Sequence, residues 1–356
     1  MKYSAMLLLA ATGLFTLQAQ ASSTEQAPER PDKQAPLPSF PKMPEQTYLT
    51  PRPLSAIPDG AFGDKVRLGY QLFVNTQQLR DKYVGNELNC TNCHMDAGRK
   101  ANASPLWGAY FAYPAYRKKD DKVSSFEERI QGCFNYSMNG KAPASGSPEL
   151  VAISAYAYWL GMGGLMDEAK ISGPVPELSD TELLKGAKRE DFPLPEGLAK
   201  VMTVEQRANL PGRAYPEIPK PELAYSPERG KEVYVAHCQT CHSVDGQGQA
   251  IAGVYALPPL WGPKSYNWGA GMHRVNTAAF FIYENMPFGK SMQLTHQQAW
   301  DVAAYINSHE RPQDPRSKGD VKQAQEKYHN DSDYYGLSVD GKVLGTESYP
   351  VFPKKS

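Results

Sequence analysis

Two short runs, Cys90-Thr-Asn-Cys93-His94 and Cys238-Gln-Thr-Cys241-His242, use four of the five cysteines in this 356-residue chain. In a Cys-x-x-Cys-His run, two thioethers tether a haem and the adjacent histidine ligates its iron. A zinc ribbon or a redox-active Cys-x-x-Cys pair would use the sulfurs but leave both trailing histidines unexplained. The runs therefore point to two covalently bound haem c groups attached at Cys90, Cys93, Cys238 and Cys241, with His94 and His242 as iron ligands. A covalent haem also makes up for the small apolar core that a domain of roughly a hundred residues can build.

The runs sit in a duplicated frame. Arg67-Leu-Gly69-Tyr-Gln-Leu-Phe73 precedes the first, and Glu228-Arg-Gly230-Lys-Glu-Val-Tyr234 precedes the second. Each places a glycine four residues ahead of an aromatic, suiting a helix that packs closely at the glycine. Pro105-Leu-Trp107-Gly108 and Pro259-Leu-Trp261-Gly262 follow the haem runs, and then Asn139-Gly140-Lys141 and Phe288-Gly289-Lys290. Each half closes on an amphipathic segment after a helix-start signal: Ser147-Pro148-Glu149 opens 150–160, and Thr295 opens 300–306. Tyr156 and Tyr305 each fall 16 residues after the glycine of Gly-Lys. No strand-like alternation of any length is present, so the predicted fold class is all-α, with two cytochrome c-like haem domains joined by a proline-rich linker. Trp107, Trp261, Tyr156 and Tyr305 are read as haem-pocket packing.

Lys2, an apolar run over 6–17 and Ala19-Gln20-Ala21 read as a cleaved secretory signal, 1–21. In a bacterium that predicts the periplasm. The run is too short to span a bilayer, and no later segment approaches the length of an apolar anchor, so no membrane anchor is expected. Of the thirty prolines, nine fall in an N-terminal extension, 22–60, and a second group lies in and around a linker, 171–222. These flank a first cytochrome c domain at 61–170 and a second at 223–312, followed by a tail at 313–356. With 38 basic and 38 acidic residues, nothing suggests a nucleic-acid partner.

Each iron needs a second ligand from the loop before the last helix. In the second half Met286, followed by Pro287, is held in an extended segment that can aim its sulfur at iron, with Met292 and Met272 as rivals. In the first half two alignments compete. Counted from the tryptophan, Cys133 lies 26 residues past Trp107 as Met286 lies 25 past Trp261; counted back from Gly-Lys, the ligand position falls at Ser137, beside Met138. The repeat does not choose between Cys133 and Met138. A free thiol in an oxidising compartment is a liability unless used or covered, and a nearby iron would favour its thiolate.

The run Glu128-Arg129-Ile-Gln-Gly132-Cys133-Phe-Asn-Tyr-Ser137-Met138-Asn139-Gly140 resembles the first-haem signature of the thiosulfate dehydrogenases, TsdA-type dihaem cytochromes. The resemblance continues through 83–90, 259–267, Gly269-Ala-Gly-Met272 and Asn285-Met286-Pro287, covering about residues 60–310. It implies Cys133 as the first iron's ligand, and the joining of two thiosulfates into tetrathionate, or the reverse. It also implies Arg129 and Ser137 in the substrate pocket, and leaves Lys118 or Lys119 as a further basic residue. Independently, Arg129 stands four residues before Cys133, so a helical segment would bring both to one space. A neutral methionine ligand gives the second haem the higher potential, so electrons are expected to run from the first haem to the second and on to a soluble cytochrome c or similar acceptor. Asn285 stands where some family members have lysine, which leaves the direction of the reaction open and keeps a tetrathionate reductase in view. The alternatives of another kind are a plain dihaem electron carrier, in which Cys133 has no role, and a haem subunit of a larger sulfur-oxidising complex.

Overall fold

The computed structural model describes residues 51–165 and 212–349, apart from Lys118, Asp120, Ala252, 330–332 and Ser348. The expected signal, most of the N-terminal extension and most of the linker lie outside the described residues. Among the described residues, seven α-helices of seven residues or more carry the fold: α1 (Ala61–Val74), α2 (Phe126–Gly132), α3 (Pro148–Leu165), α4 (Pro227–His237), α5 (Val275–Asn285), α6 (His296–Asn307) and α7 (Val321–Tyr328).

Their starts follow local chemistry. Ser226 caps α4 by accepting from the Arg229 amide, with Pro227 at the first position, where a missing N–H costs nothing. Thr295 and Gln298 form a reciprocal capping box, so α6 begins at His296, ahead of the apolar residues that suggested it. Ser125 and Glu128 do the same for α2.

The duplication is visible where helices cross. A Cβ on Gly69 would lie 2.0 Å from the Ala152 carbonyl oxygen and 2.8 Å from Tyr156 Cβ, so α1 and α3 touch backbone to backbone. A Cβ on Gly230 would lie 1.9 Å from the Asp301 oxygen and 2.8 Å from Tyr305 Cβ, which is the same crossing between α4 and α6. Only glycine permits either approach.

Both halves are helical as expected, with additions that the sequence pattern did not disclose. Three two-stranded antiparallel hairpins occur among the described residues: Ala115–Arg117 with Lys122–Ser124, Gln249–Ile251 with Val254–Leu257, and Ser338–Val339 with Lys342–Val343. Strands this short never complete enough alternations to register as a period.

The first core gathers Val66, Phe73, Trp107, Phe134, Tyr156 and Trp159; the second gathers Tyr234, Trp261, Val275, Phe281 and Trp300. The halves also interleave. Met95 and Ala103, from the first haem loop, are buried in the second core, while Tyr266 and Ala270 are buried in the first. Met272 packs against both. Asn86 Nδ2 donates to the Ser265 carbonyl at 3.1 Å, and Asn267 Nδ2 to the Asn135 carbonyl at 2.9 Å.

The described end of the proline-rich linker is packed rather than free. Arg213 covers Gly108, Ile218 is buried in the second core, and Pro219 accepts from Trp300 Nε1 at 2.8 Å. Part of the tail folds back as well, placing Ala324, Tyr335 and Leu344 around Trp268. No described helix is long and apolar enough to cross a membrane.

Candidate haem and substrate site

Each Cys-x-x-Cys-His run is held as a tight turn that presents an imidazole in one orientation. In the first, Asn89 and Asn92 cap a short turn over Cys90–Asn92 reciprocally, and Thr76 Oγ1 accepts from the Cys90 amide at 3.0 Å. The His94 ring then places Nδ1 2.6 Å from the Ser104 carbonyl oxygen. In the second, the His242 amide bonds back to the Cys238 carbonyl and Nδ1 lies 2.8 Å from the Pro258 carbonyl oxygen. A carbonyl only accepts, so in each neutral ring Nδ1 carries the proton and Nε2 keeps its lone pair.

Burial favours that neutral form, pushing His94 down to about 4, with Arg129 nearby acting in the same sense; His242 is lowered for the same first reason. Neither cysteine pair is closed as a disulfide, and burial pushes Cys90, Cys93 and Cys238 up to about 12. Both sets, two free sulfurs and an imidazole fixed by a carbonyl with a free lone pair, fit a covalent haem. In the first half the tryptophan and tyrosine of the repeat brace the loop: Trp107 Nε1 donates to the Arg99 carbonyl and the Tyr156 hydroxyl to the Ala97 carbonyl, at 2.9 and 2.8 Å.

Cys133 opens a π-helical turn, Cys133–Ser137, directly continuing α2. Such a turn shifts the side-chain register and recurs at functional sites. Arg129, four residues earlier, donates from Nη1 to Cys133 Sγ at 2.9 Å. Electrostatic interaction with that sulfur is the first cause holding the Arg129 pKa above its ordinary value, ahead of burial, which lowers it. The sulfur is also close enough to Cys90 and Cys93 to raise both thiols electrostatically. Arg129, Cys133, His94 and the first cysteine pair thus share one pocket.

Ser137 ends the π turn, and its carbonyl accepts from Asn86 Nδ2 at 2.8 Å. Met138 is buried in the first core. Lys119 donates to the Gly269 carbonyl and lies 3.6 Å over the Tyr136 ring, so its ammonium is anchored between the halves. Lys118 lies outside the described residues.

Met286 caps α5 in extended backbone and packs against the second core. Met272, between the cores, and Met292, whose amide bonds the Tyr283 carbonyl at 2.8 Å, are the other candidate thioethers there. The residue before Met286 makes a connection that the sequence did not suggest. Asn285 is fully buried, accepts from Lys100 Nζ at 2.8 Å and donates to the Asn102 carbonyl at 3.0 Å. Asn102 Nδ2 in turn reaches Glu284 at 3.1 Å. The loop that would present the second distal ligand is therefore bonded to the loop after the first haem run.

Tyr215 was also missed, because it lies in the proline-rich stretch. Its phenol shares the first pocket with Cys93, Cys133 and Arg129, while its ring meets Phe281 of α5 edge-on at 5.3 Å. A lone tyrosine among prolines carries no positional signal.

The SoxA/TsdA cytochrome c domain family matches residues 78–164, and the cytochrome c family matches residues 227–310. A thiosulfate dehydrogenase of Stutzerimonas stutzeri is 48% identical over 303 residues, 84% of this chain and 86% of the relative. Another, from Thiomonas intermedia, is 43% identical over 345 residues, 97% of this chain and 96% of the relative. Among solved structures, the as-isolated thiosulfate dehydrogenase (TsdBA) from Marichromatium purpuratum superposes with a TM-score of 0.70 at 41% identity. The match covers 85% of this chain and 59% of that longer one.

Proposed function

Because this chain belongs to the thiosulfate dehydrogenase family, we propose that it joins two thiosulfates into tetrathionate at the first haem pocket and releases the electrons through the second. The observation that carries the reading is the 2.9 Å contact from Arg129 Nη1 to Cys133 Sγ beside the first haem loop. It couples a nucleophilic sulfur to a fixed positive charge, which is what the union of two dianions requires.

In this reading Cys133 and Met286 complete the iron coordination begun by His94 and His242. The bound haems would supply one-electron acceptance in two successive steps. Arg129 draws the sulfonate end of the first thiosulfate into the pocket and offsets its charge, with Ser137 at the far end of the same turn. The Cys133 thiolate bonds the outer sulfur of that thiosulfate with loss of two electrons, giving a Cys–S–S–sulfonate adduct. The second thiosulfate attacks the adduct's outer sulfur; the Cys133–sulfur bond breaks, tetrathionate leaves and the thiolate is restored. The balance is two thiosulfates to one tetrathionate and two electrons, with no proton consumed. A soluble cytochrome c or similar small carrier takes the electrons, in the periplasm.

The test is thiosulfate-dependent ferricyanide reduction, run beside tetrathionate reduction with a low-potential donor, which also fixes the favoured direction. Cys133→Ala is expected to keep both haems, lose the spectral signature of thiolate ligation and abolish turnover. Near-normal thiosulfate oxidation by that variant would sink the mechanism.

A further inference from the structure

The C-terminal tail brings two side chains against His273, one residue after Met272. His273 lies in a turn just before α5, His329 follows α7, and Asp333 comes four residues later. His273 Nε2 is 2.9 Å from Asp333 Oδ2, His329 Nδ1 is 3.3 Å from the same oxygen, and the two nitrogens are 3.3 Å apart. All three side chains are at most 3% exposed.

The other edge of each ring fixes where its proton sits. His273 Nδ1 bonds the Ala270 carbonyl oxygen, which only accepts. His329 Nε2 is 3.0 Å from the Asp314 carboxylate, which Arg316 grips through Nε and Nη2. With both neutral rings protonated at those outer edges, the inner edges offer a lone pair each. Two imidazole lone pairs and a carboxylate oxygen then converge on one point with no hydrogen among them. A bound metal ion would reconcile them, as would extra protons on the rings.

The spacing and the donor set fit zinc. Bonds of about 2.0–2.1 Å to a tetrahedral zinc place its ligand atoms about 3.3 Å apart, and the observed triangle has sides of 2.9, 3.3 and 3.3 Å. Calcium and magnesium prefer oxygen ligands in larger numbers. The carbonyl and carboxylate behind the two rings are the outer partners that orient zinc-binding histidines. We propose that His273 Nε2, His329 Nδ1 and Asp333 Oδ2 bind a zinc ion, with water at the fourth corner, and that the ion clips the tail onto the second haem domain.

Untagged holoenzyme, produced with zinc in the medium and then desalted, is to be assayed for zinc and iron by mass spectrometry. About one zinc per two haem irons is expected. Asp333→Asn, which keeps the shape but weakens the ligand, is expected to retain both irons and lose the zinc. Chelator-treated wild type provides an arm that does not depend on the variant: added zinc should raise its melting temperature saturably at about one equivalent, and magnesium should not. The proposal is overturned if wild type with full iron contains less than about a tenth of an equivalent of zinc and its melting temperature ignores added zinc, in which case protons alone hold the cluster. It is equally overturned if Asp333→Asn keeps its zinc, which would put the ion elsewhere.

Discussion

Replacing Arg129 with glutamine tests the reactive pair without touching a haem attachment point. The side chain donates from Nη1 to Cys133 Sγ at 2.9 Å, and interaction with that sulfur favours its charged form against burial. A hydrogen bond to a charged group contributes about 1.5–3 kcal/mol. If that contribution is made to the sulfur and the incoming sulfonate as bonds form, kcat/KM for thiosulfate should fall about 10- to 150-fold. Arg129→Lys keeps the charge but loses the planar fork, so it should recover part of the loss. The assay is steady-state thiosulfate oxidation with ferricyanide, on protein matched for haem content and melting temperature. Wild-type kcat/KM in Arg129→Gln would refute the reasoning. A variant that loses haem or melts early would show that the arginine stabilises the fold instead.

Other outcomes follow from the same geometry. Met138→Leu, a buried and nearly isosteric change, should leave the first haem's ligand set and turnover unaltered, as checked by the absorption spectrum beside Cys133→Ala. Met286→Lys should lower the second haem's potential and slow oxidation with a high-potential acceptor, read by redox titration; unchanged potentials would assign the ligand to Met292 or Met272. Gly69→Ala and Gly230→Ala force a methyl to within about 2 Å of a facing carbonyl, so each should cost at least about 1–3 kcal/mol by thermal melting. Asn285→Ala removes the buried bonds from Lys100 Nζ and to the Asn102 carbonyl and should cost about 1–3 kcal/mol by thermal melting.

What the sequence disclosed was local. A haem run is five contiguous residues, a glycine crossing repeats at a fixed offset, and Arg129 reaches Cys133 across one helical turn. Each can be read by counting. What escaped depends on segments distant along the chain. Lys100 and Asn285 are 185 residues apart, and His273 and His329 are 56 apart; neither pair has a spacing that anticipates contact. Tyr215 enters the first pocket from a stretch whose prolines announce only that it is not helical. The tail's fold likewise has no periodicity to betray it, because Trp268, Tyr335 and Leu344 meet as isolated residues.

The interleaving of the two cores bears on how such a protein comes into being. Synthesis delivers Met95, Lys100 and Ala103 long before α5 exists to receive them. Until the later half arrives, the first haem loop lacks the surface that closes it, and its apolar side chains face water. The later half has the mirror problem, since Tyr266 and Ala270 are shaped to a neighbour's interior. Although the repeat looks like two copies of one module, neither copy is any longer self-sufficient. A fragment ending near residue 170 would expose an unfinished seam and tend to aggregate, and exchanging one half for that of a distant relative would fail at the seam before it failed at the haem.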